Sequence, residues 1–237
     1  MYLRIVVFSI IVLVITSLLA VFQQKVNLDF EKIVLPQLAP VIAFGIIALI
    51  FKDIIFSVNF SFNKTIAIKT LIAFSIPFLL FSISFFIGKQ AGINVKITEN
   101  LQSILPIMII GILIGAVGEE IGWRGFLQPL LEKKHSILIA SIIVGAIWGL
   151  WHIGHYKNGV FFMLGFLLFT ISASIIIAWL LRDTQYNMII AAFFHIAINL
   201  GFIIFFKNSL TDYKLMIING IVWLIPAMVF IFKELKH

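Results

Sequence analysis

The sequence predicts an all-α polytopic membrane protein with about eight transmembrane helices. Of the 237 residues, 62% are apolar and only 11% are charged, whereas soluble domains have about 45–50% apolar and about 25% charged residues. Lipid must therefore solvate most of the surface. The apolar residues also form separate segments, each close to the ~20 residues that a helix needs to cross a bilayer core.

Eight such segments follow one another along the chain. They are 5–22, 35–51, 70–87, 101–117, 136–151, 160–181, 188–206 and 215–232. The first has no Ala-x-Ala cleavage site before Gln23, so we expect a retained anchor and not a cleaved signal. Because no linker is long enough to separate two domains, residues 1–237 are expected to form a single integral membrane domain.

The composition also limits the chemistry and the partners. The chain has no cysteine, which excludes disulfides, thiolate metal ligands and a cysteine nucleophile. Its net charge of +7 comes from Lys and Arg scattered between apolar runs, a pattern that favours lipid headgroups over nucleic acid. The distribution of these cations predicts cytoplasmic termini, and we expect the protein in a bacterial plasma membrane.

Small residues recur at helical spacing in the middle segments. Gly111 and Gly115 are four residues apart, as are Gly145 and Gly149. This spacing predicts close approach of neighbouring helices, which is an ordinary feature of membrane proteins.

The first polar group lies at the end of the fourth apolar segment. If this stretch is helical, Glu120 and Arg124 are one turn apart, with the acid on the favourable N-terminal side. Glu119 lies about 100° around the helix from its neighbour. We therefore predict a structural ion pair between Glu120 and Arg124, and a free Glu119 carboxylate that exchanges protons. A solvated loop with a chance acidic pair is the simpler interpretation.

Two further groups contain histidine. His152 ends the fifth segment one turn after Trp148, in an aromatic setting, and His155 follows as a secondary candidate because Gly154 can break the helix. His195 and Asn199 share one face of the seventh segment. Lipid would leave the hydrogen-bonding groups of both side chains unsatisfied. This face of the helix should therefore meet a cavity or a partner group. Taken alone, each of these groups is also explained by a histidine at the membrane interface or by a hydrogen bond that packs helices together.

One polar pair outside these groups lies between the sixth and seventh segments. Arg182 and Asp183 are predicted to form a turn with a local ion pair.

Together the groups can perform peptide hydrolysis. A Glu near a His can deprotonate water, while a second His and an Asn amide donate hydrogen bonds to the oxyanion. Glu119, His152 and His195 could equally bind Zn²⁺ with one open water position. Both alternatives stay open at this point.

The three groups resemble the motifs of the CPBP family, the CAAX-processing and bacteriocin-processing intramembrane proteases, also called Abi. Its Glu-Glu-x-x-x-Arg motif is matched by Glu119, Glu120 and Arg124. Its aromatic-x-x-x-His motif, usually with Phe, is matched by Trp148 and His152, and its His-x-x-x-Asn motif by His195 and Asn199. The matching region, residues 114–200, is expected to be the catalytic core.

The resemblance implies a helical membrane core in which Glu119 and His152 activate water and His195 with Asn199 forms the oxyanion pocket. It implies a membrane-associated peptide or protein as substrate without identifying one. The alternative is a polytopic carrier or a bacteriocin self-immunity protein, in which the same polar residues form an ion or proton pathway.

Overall fold

The protein is built from α-helices, as its sequence predicts. The computed structural model describes residues 1–30, 32–51, 58–99 and 105–234. The α-helices of this part of the chain are α1 Tyr2–Lys25, α2 Ala39–Ile50, α3 Lys64–Gln90, α4 Leu105–Gly122, α5 Gln128–Glu132, α6 Ile137–Trp151, α7 Val160–Leu181, α8 Met188–Phe206 and α9 Tyr213–Glu234. Within these residues, pairing of the β type is limited to one bridge between Asn59 and Asn187.

The apolar helices of the described residues differ in length. Within the described residues, six helical stretches are long and apolar enough to span, and two apolar helices, Leu35–Ile50 and Ile137–Trp151, are shorter. All eight predicted segments have a helical counterpart, six of them long enough to span a membrane and two shorter, which agrees with the prediction of about eight helices. The start of the fourth predicted segment, residues 101–104, lies outside the described residues.

The fourth segment also extends much further than its apolar sequence indicates. Helix α4 passes through one π-helical turn, Trp123–Leu127, into α5, so that a single helical stretch runs from Pro106 to Glu132. All five residues of the π turn are buried. The two adjacent carboxylates therefore lie inside a membrane helix and not in a solvated loop. Turns of this type are frequent at functional sites.

Glycines permit the closest helix contacts of the core, as their spacing predicts. A Cβ on Gly145 of α6 would lie 2.6 Å from the Cα of Ile171 on α7, so only glycine allows this approach. A Cβ on Gly149 would likewise overlap Thr170 of α7. Gly111 and Gly115 instead face Lys32 and Gln37. Their partner is thus the segment that precedes α2, whose last residues, Leu35–Leu38, form a 3₁₀-helical turn.

That segment is held against α4 by one buried glutamine of α1. The Gln23 amide donates to the carbonyls of Leu28, at 3.2 Å, and Ile33, at 2.6 Å, and its oxygen accepts from the Leu35 backbone N–H at 2.8 Å. Gln23 itself is fully buried. These bonds satisfy backbone groups that lipid could not, and they fix the segment as one wall of the site described below.

The turn between α7 and α8 differs from the prediction in its ion pair. Asp183 begins a tight turn with a φ of 61°. Arg182 pairs with Glu234 of α9, with an Nη1–Oε2 distance of 3.2 Å. The turn is confirmed, but its arginine connects two helices instead of forming a local pair.

Candidate active site

The centre of the site is a pair of consecutive carboxylates on α4. Glu119 and Glu120 are 0% and 1% exposed. Arg124, one turn further on, donates from Nη1 to Oε1 of Glu120 at 3.0 Å, and both side chains are 1% exposed. The predicted ion pair between Glu120 and Arg124 is therefore confirmed, in a setting with almost no water to screen it.

His195 of α8 lies between the two carboxylates, a contact that the sequence did not predict. Its Nδ1 is 2.7 Å from Oε1 of Glu120, and its Nε2 is 3.8 Å from Oε1 of Glu119. Glu120 is thus shared by Arg124 and His195. When both nitrogens of His195 carry protons, two carboxylates face two cations and the cluster is neutral. We call Glu119, Glu120, Arg124 and His195 the charge cluster.

Two indoles bind the Glu119 carboxylate, and both bind the same oxygen. Trp148 donates from Nε1 to Oε2 at 2.8 Å, and Trp123 donates to Oε2 at 3.3 Å. Among the described residues, Oε1 of Glu119 has no hydrogen-bond partner. Trp123 was missed in the sequence, although its position four residues after Glu119 is the spacing that identified the pair of Glu120 and Arg124.

His152 ends α6 through its own side chain. The backbone N–H of His152 donates to the carbonyl of Gly149, so it does not bond to the carbonyl of Trp148 as it would in a continuing α-helix. The Trp148 carbonyl bonds to the His152 ring instead, at an Nδ1–O distance of 2.8 Å. Because a carbonyl only accepts, Nδ1 must carry the proton. Nε2 of the neutral ring is then free to accept a hydrogen bond or a proton.

A cavity of about 750 Å³ is lined by residues of the helices that carry the charge cluster, α4 and α8, but by none of the four cluster residues. Its walls come from α1, the segment that precedes α2, α4, the end of α6 and α8. His152, His155 and Asn199 are polar residues of the wall, and most of the remainder is apolar. In the described part of the chain the Asn199 amide has no hydrogen-bond partner, so it is available to a ligand.

The four predicted catalytic residues therefore lie in two layers. His152 and Asn199 line the cavity. Glu119 and His195 lie in the buried layer, with 0% and 3% of their surfaces exposed. Trp148 connects the layers, because its indole bonds to Glu119 and its carbonyl bonds to His152. The structure thus brings the three motifs to one place, with the carboxylate placed deeper than the cavity wall.

His155 also faces the cavity, next to His152. The two rings are parallel, with centroids 5.6 Å apart and an interplanar angle of 3°. Burial, with a smaller effect from the positive charge of Lys157, lowers the pKa of His155. Both effects favour the neutral form of the ring.

The candidate zinc ligands are not gathered around one point. Among the described residues, no group of three or more His, Asp or Glu side chains is close enough to hold a metal ion. Glu119 and His195 are neighbours, whereas His152 lies on the cavity wall with one nitrogen bound to a carbonyl. This arrangement does not fit a three-ligand zinc site. Zinc binding stays a prediction.

Comparisons with known proteins agree with the three motifs. The family model described as Type II CAAX prenyl endopeptidase Rce1-like matches residues 101–201. Lysostaphin resistance protein A of Staphylococcus haemolyticus (strain JCSC1435) is 29% identical over 240 residues, which covers 98% of this chain and 66% of the relative. CAAX prenyl protease 2 of Methanococcus maripaludis is 27% identical over 141 residues, covering 55% of this chain and 51% of the relative.

A further relative is lysostaphin resistance protein A of Staphylococcus aureus (strain MRSA252), which is 28% identical over 87% of this chain and 50% of its own length. The chain thus spans about half to two thirds of the length of the curated relatives it matches. The motifs occur in order within the matched region, on helices that meet at one buried site. These similarities and the three motifs support the assignment of the chain to the CPBP family.

Proposed function

We propose that the protein is an intramembrane endopeptidase that hydrolyses a peptide bond of a membrane-associated protein or peptide. The observation that carries the proposal is the unpartnered Oε1 of buried Glu119, a carboxylate that Trp148 links to a cavity lined by His152 and Asn199. A buried carboxylate oxygen without a donor is costly, and a catalytic water supplies that donor. The relatives named CAAX prenyl protease 2 and Rce1-like endopeptidase support the same reaction class.

The attacking water is activated between Glu119 and His152. Nε2 of His152 accepts one hydrogen bond from the water, and Oε1 of Glu119 takes the other proton as the oxygen bonds to the scissile carbonyl carbon. Collapse of the tetrahedral intermediate then breaks the C–N bond. The leaving amine takes the proton from Glu119, which restores the carboxylate.

Asn199 and His195 stabilise the negative charge on the attacked carbonyl oxygen. The Asn199 amide is an uncommitted donor at the cavity wall. For His195, Nδ1 is engaged by Glu120, so only Nε2 remains, and it can donate only when both ring nitrogens are protonated. The oxyanion role thus requires an imidazolium, the form that also makes the charge cluster neutral.

The carrier or self-immunity alternative uses the same residues without breaking a bond. The relatives named lysostaphin resistance protein A fit either alternative, because resistance does not specify the chemistry. The polar cluster of a carrier would bind and release protons or ions, so its signature is transport in vesicles without peptide cleavage. Hydrolysis by purified protein therefore distinguishes the two functions.

The first prediction concerns the proposed base. Glu119→Gln should abolish cleavage of membrane-proximal peptides while the protein stays folded, because the amide preserves size but cannot accept the proton from water. Turnover of a library of such peptides is the measurement. Glu132→Gln is the matched control, since Glu132 bonds to Tyr186 and Gln128 away from the cavity, and it should cleave normally. Wild-type turnover in Glu119→Gln would remove Glu119 as the base.

The second prediction tests the oxyanion role. Asn199→Ala should lower kcat about 10²- to 10³-fold with little change in KM, since such donors act mainly in the transition state. A helix-packing hydrogen bond would instead contribute about 0.6 kcal/mol of stability without affecting the rate. Rate per folded molecule and melting temperature are measured together.

Asn219→Ala is the control for Asn199, because Asn219 is a buried asparagine of α9 outside the cavity and has no described hydrogen-bond partner. It should keep the full rate per folded molecule. Full specific activity in Asn199→Ala would contradict the oxyanion role of Asn199 and leave it a role in helix packing only.

The third prediction tests the structural role of Glu120 and Arg124. Glu120→Ala and Arg124→Ala should each destabilise the protein by about 3–5 kcal/mol, because each leaves a buried charge without its partner. Arg182→Ala is the matched control. Its ion pair with Glu234 is exposed, with side-chain exposures of 43% and 27%, and should be worth about 0–1 kcal/mol. Equal melting temperatures for the three variants would contradict the structural role.

The fourth prediction concerns zinc. Purified active protein should contain little metal and should keep its turnover in a chelator, since an Asn beside His195 suits an oxyanion pocket better than a zinc shell. Elemental analysis with the activity assay is the measurement. One tightly held zinc per active chain, with activity lost on chelation and restored on zinc addition, would reverse the assignment.

A further inference from the structure

Trp148 contacts residues of both layers of the site. Its indole N–H donates to Glu119 and its carbonyl accepts from His152, both at 2.8 Å. The Arg124 guanidinium lies over its ring at 5.0 Å, and its ring meets that of His195 edge to face at 5.3 Å. The side chain is 4% exposed, so these contacts form away from water.

The indole makes the two oxygens of Glu119 chemically different. Trp148 and Trp123 both donate to Oε2, whereas Oε1 has no described donor and faces Nε2 of His195 at 3.8 Å. A donor stabilises negative charge on the oxygen that it binds. Oε2 is therefore the anchored oxygen, and Oε1 is the one that is free to accept a proton.

A phenylalanine, the usual residue of the family motif at this position, cannot make this bond. Its ring could pack against Arg124 and His195, but it has no N–H to donate. The family motif thus specifies an aromatic side chain, and this chain adds a hydrogen-bond donor to it. The carbonyl bond to His152 comes from the backbone and would survive the substitution.

We propose that Trp148 is a positioning residue whose indole N–H anchors Oε2 of Glu119, so that Oε1 receives the proton of the attacking water. The proposal rests on the proposed peptidase function. In the step concerned, the O–H bond of water breaks, its proton moves to Oε1, and the water oxygen bonds to the carbonyl carbon.

The experiment removes the N–H and keeps the shape of the side chain. Position 148 is replaced by 3-benzothienylalanine, in which sulfur substitutes for the indole N–H, and Trp148→Phe is made alongside. We expect kcat to fall about 10- to 100-fold, the value of a hydrogen bond to a charged group, with KM within about twofold. Melting temperature is measured for each variant, and rates are given per folded molecule.

Trp223 provides the matched control. It is fully buried among the rings of Phe81, Phe169 and Phe194, and its indole N–H has no partner among the described residues. The same replacement there should leave kcat unchanged. An unchanged kcat at position 148, or an equal loss at position 223, would overturn the proposal. So would a lower melting temperature at position 148 with an unchanged rate per folded molecule.

A second measurement tests the bond independently of cleavage. The chain has five tryptophans, so ¹⁵N-labelled indoles give a small set of NMR signals that single substitutions assign. The Trp148 indole proton should lie downfield of that of Trp223 and should move in Glu119→Gln, whereas the Trp223 signal should not. Coincident, unresponsive signals would overturn the proposal even if the enzyme is active. Normal turnover of Glu119→Gln would instead overturn the assignment of Glu119 as the base, and absence of cleavage by the wild-type protein would overturn the proposed function. Neither result would affect the hydrogen bond.

Discussion

The structure depends on the burial of two adjacent carboxylates in an apolar helix bundle. Glu119 and Glu120 are almost completely inaccessible, and uncompensated charges in such a setting are prohibitively costly. Arg124 from the same helix and His195 from α8 supply the compensation. This requirement explains why α4 continues as a helix past the carboxylates and why α8 approaches it here. The contact between α4 and α8 thus forms the candidate site and also holds the core together.

The separation into a charged layer and a cavity wall has a chemical meaning. A cavity that is mostly apolar can accept a membrane-associated segment, while Glu119, which we propose as the proton acceptor, is buried away from bulk water. His152 and Asn199 are among the polar groups that line this cavity. Among the described residues, three buried atoms of the charge cluster have no hydrogen-bond partner, namely Oε1 of Glu119, Oε2 of Glu120 and Nε of Arg124. Of these, Oε1 of Glu119 is the atom that we propose takes part in the chemistry.

Tryptophan side chains donate hydrogen bonds that orient the residues of this site. Three tryptophans near the cluster use their indole N–H groups, with Trp148 and Trp123 binding Glu119 and Trp151 binding Thr16 of α1 at 2.6 Å. In lipid, an indole combines apolar surface with one hydrogen bond that must be satisfied internally. Each such bond therefore orients a helix as well as a side chain, and the last one brings α1 against the cavity.

Sequence periodicity and local spacing determined the helices, the membrane class and the three motifs. They also determined the ion pair between Glu120 and Arg124, because residues one turn apart in a helix meet whatever the surroundings. Tertiary structure alone decided that His195 joins Glu120, that Trp148 donates to Glu119 and that Glu119 lies deeper than His152. Those contacts join residues 75 and 29 positions apart. Their geometry depends on how helices cross and rotate against one another, which the pattern of a single helix does not encode.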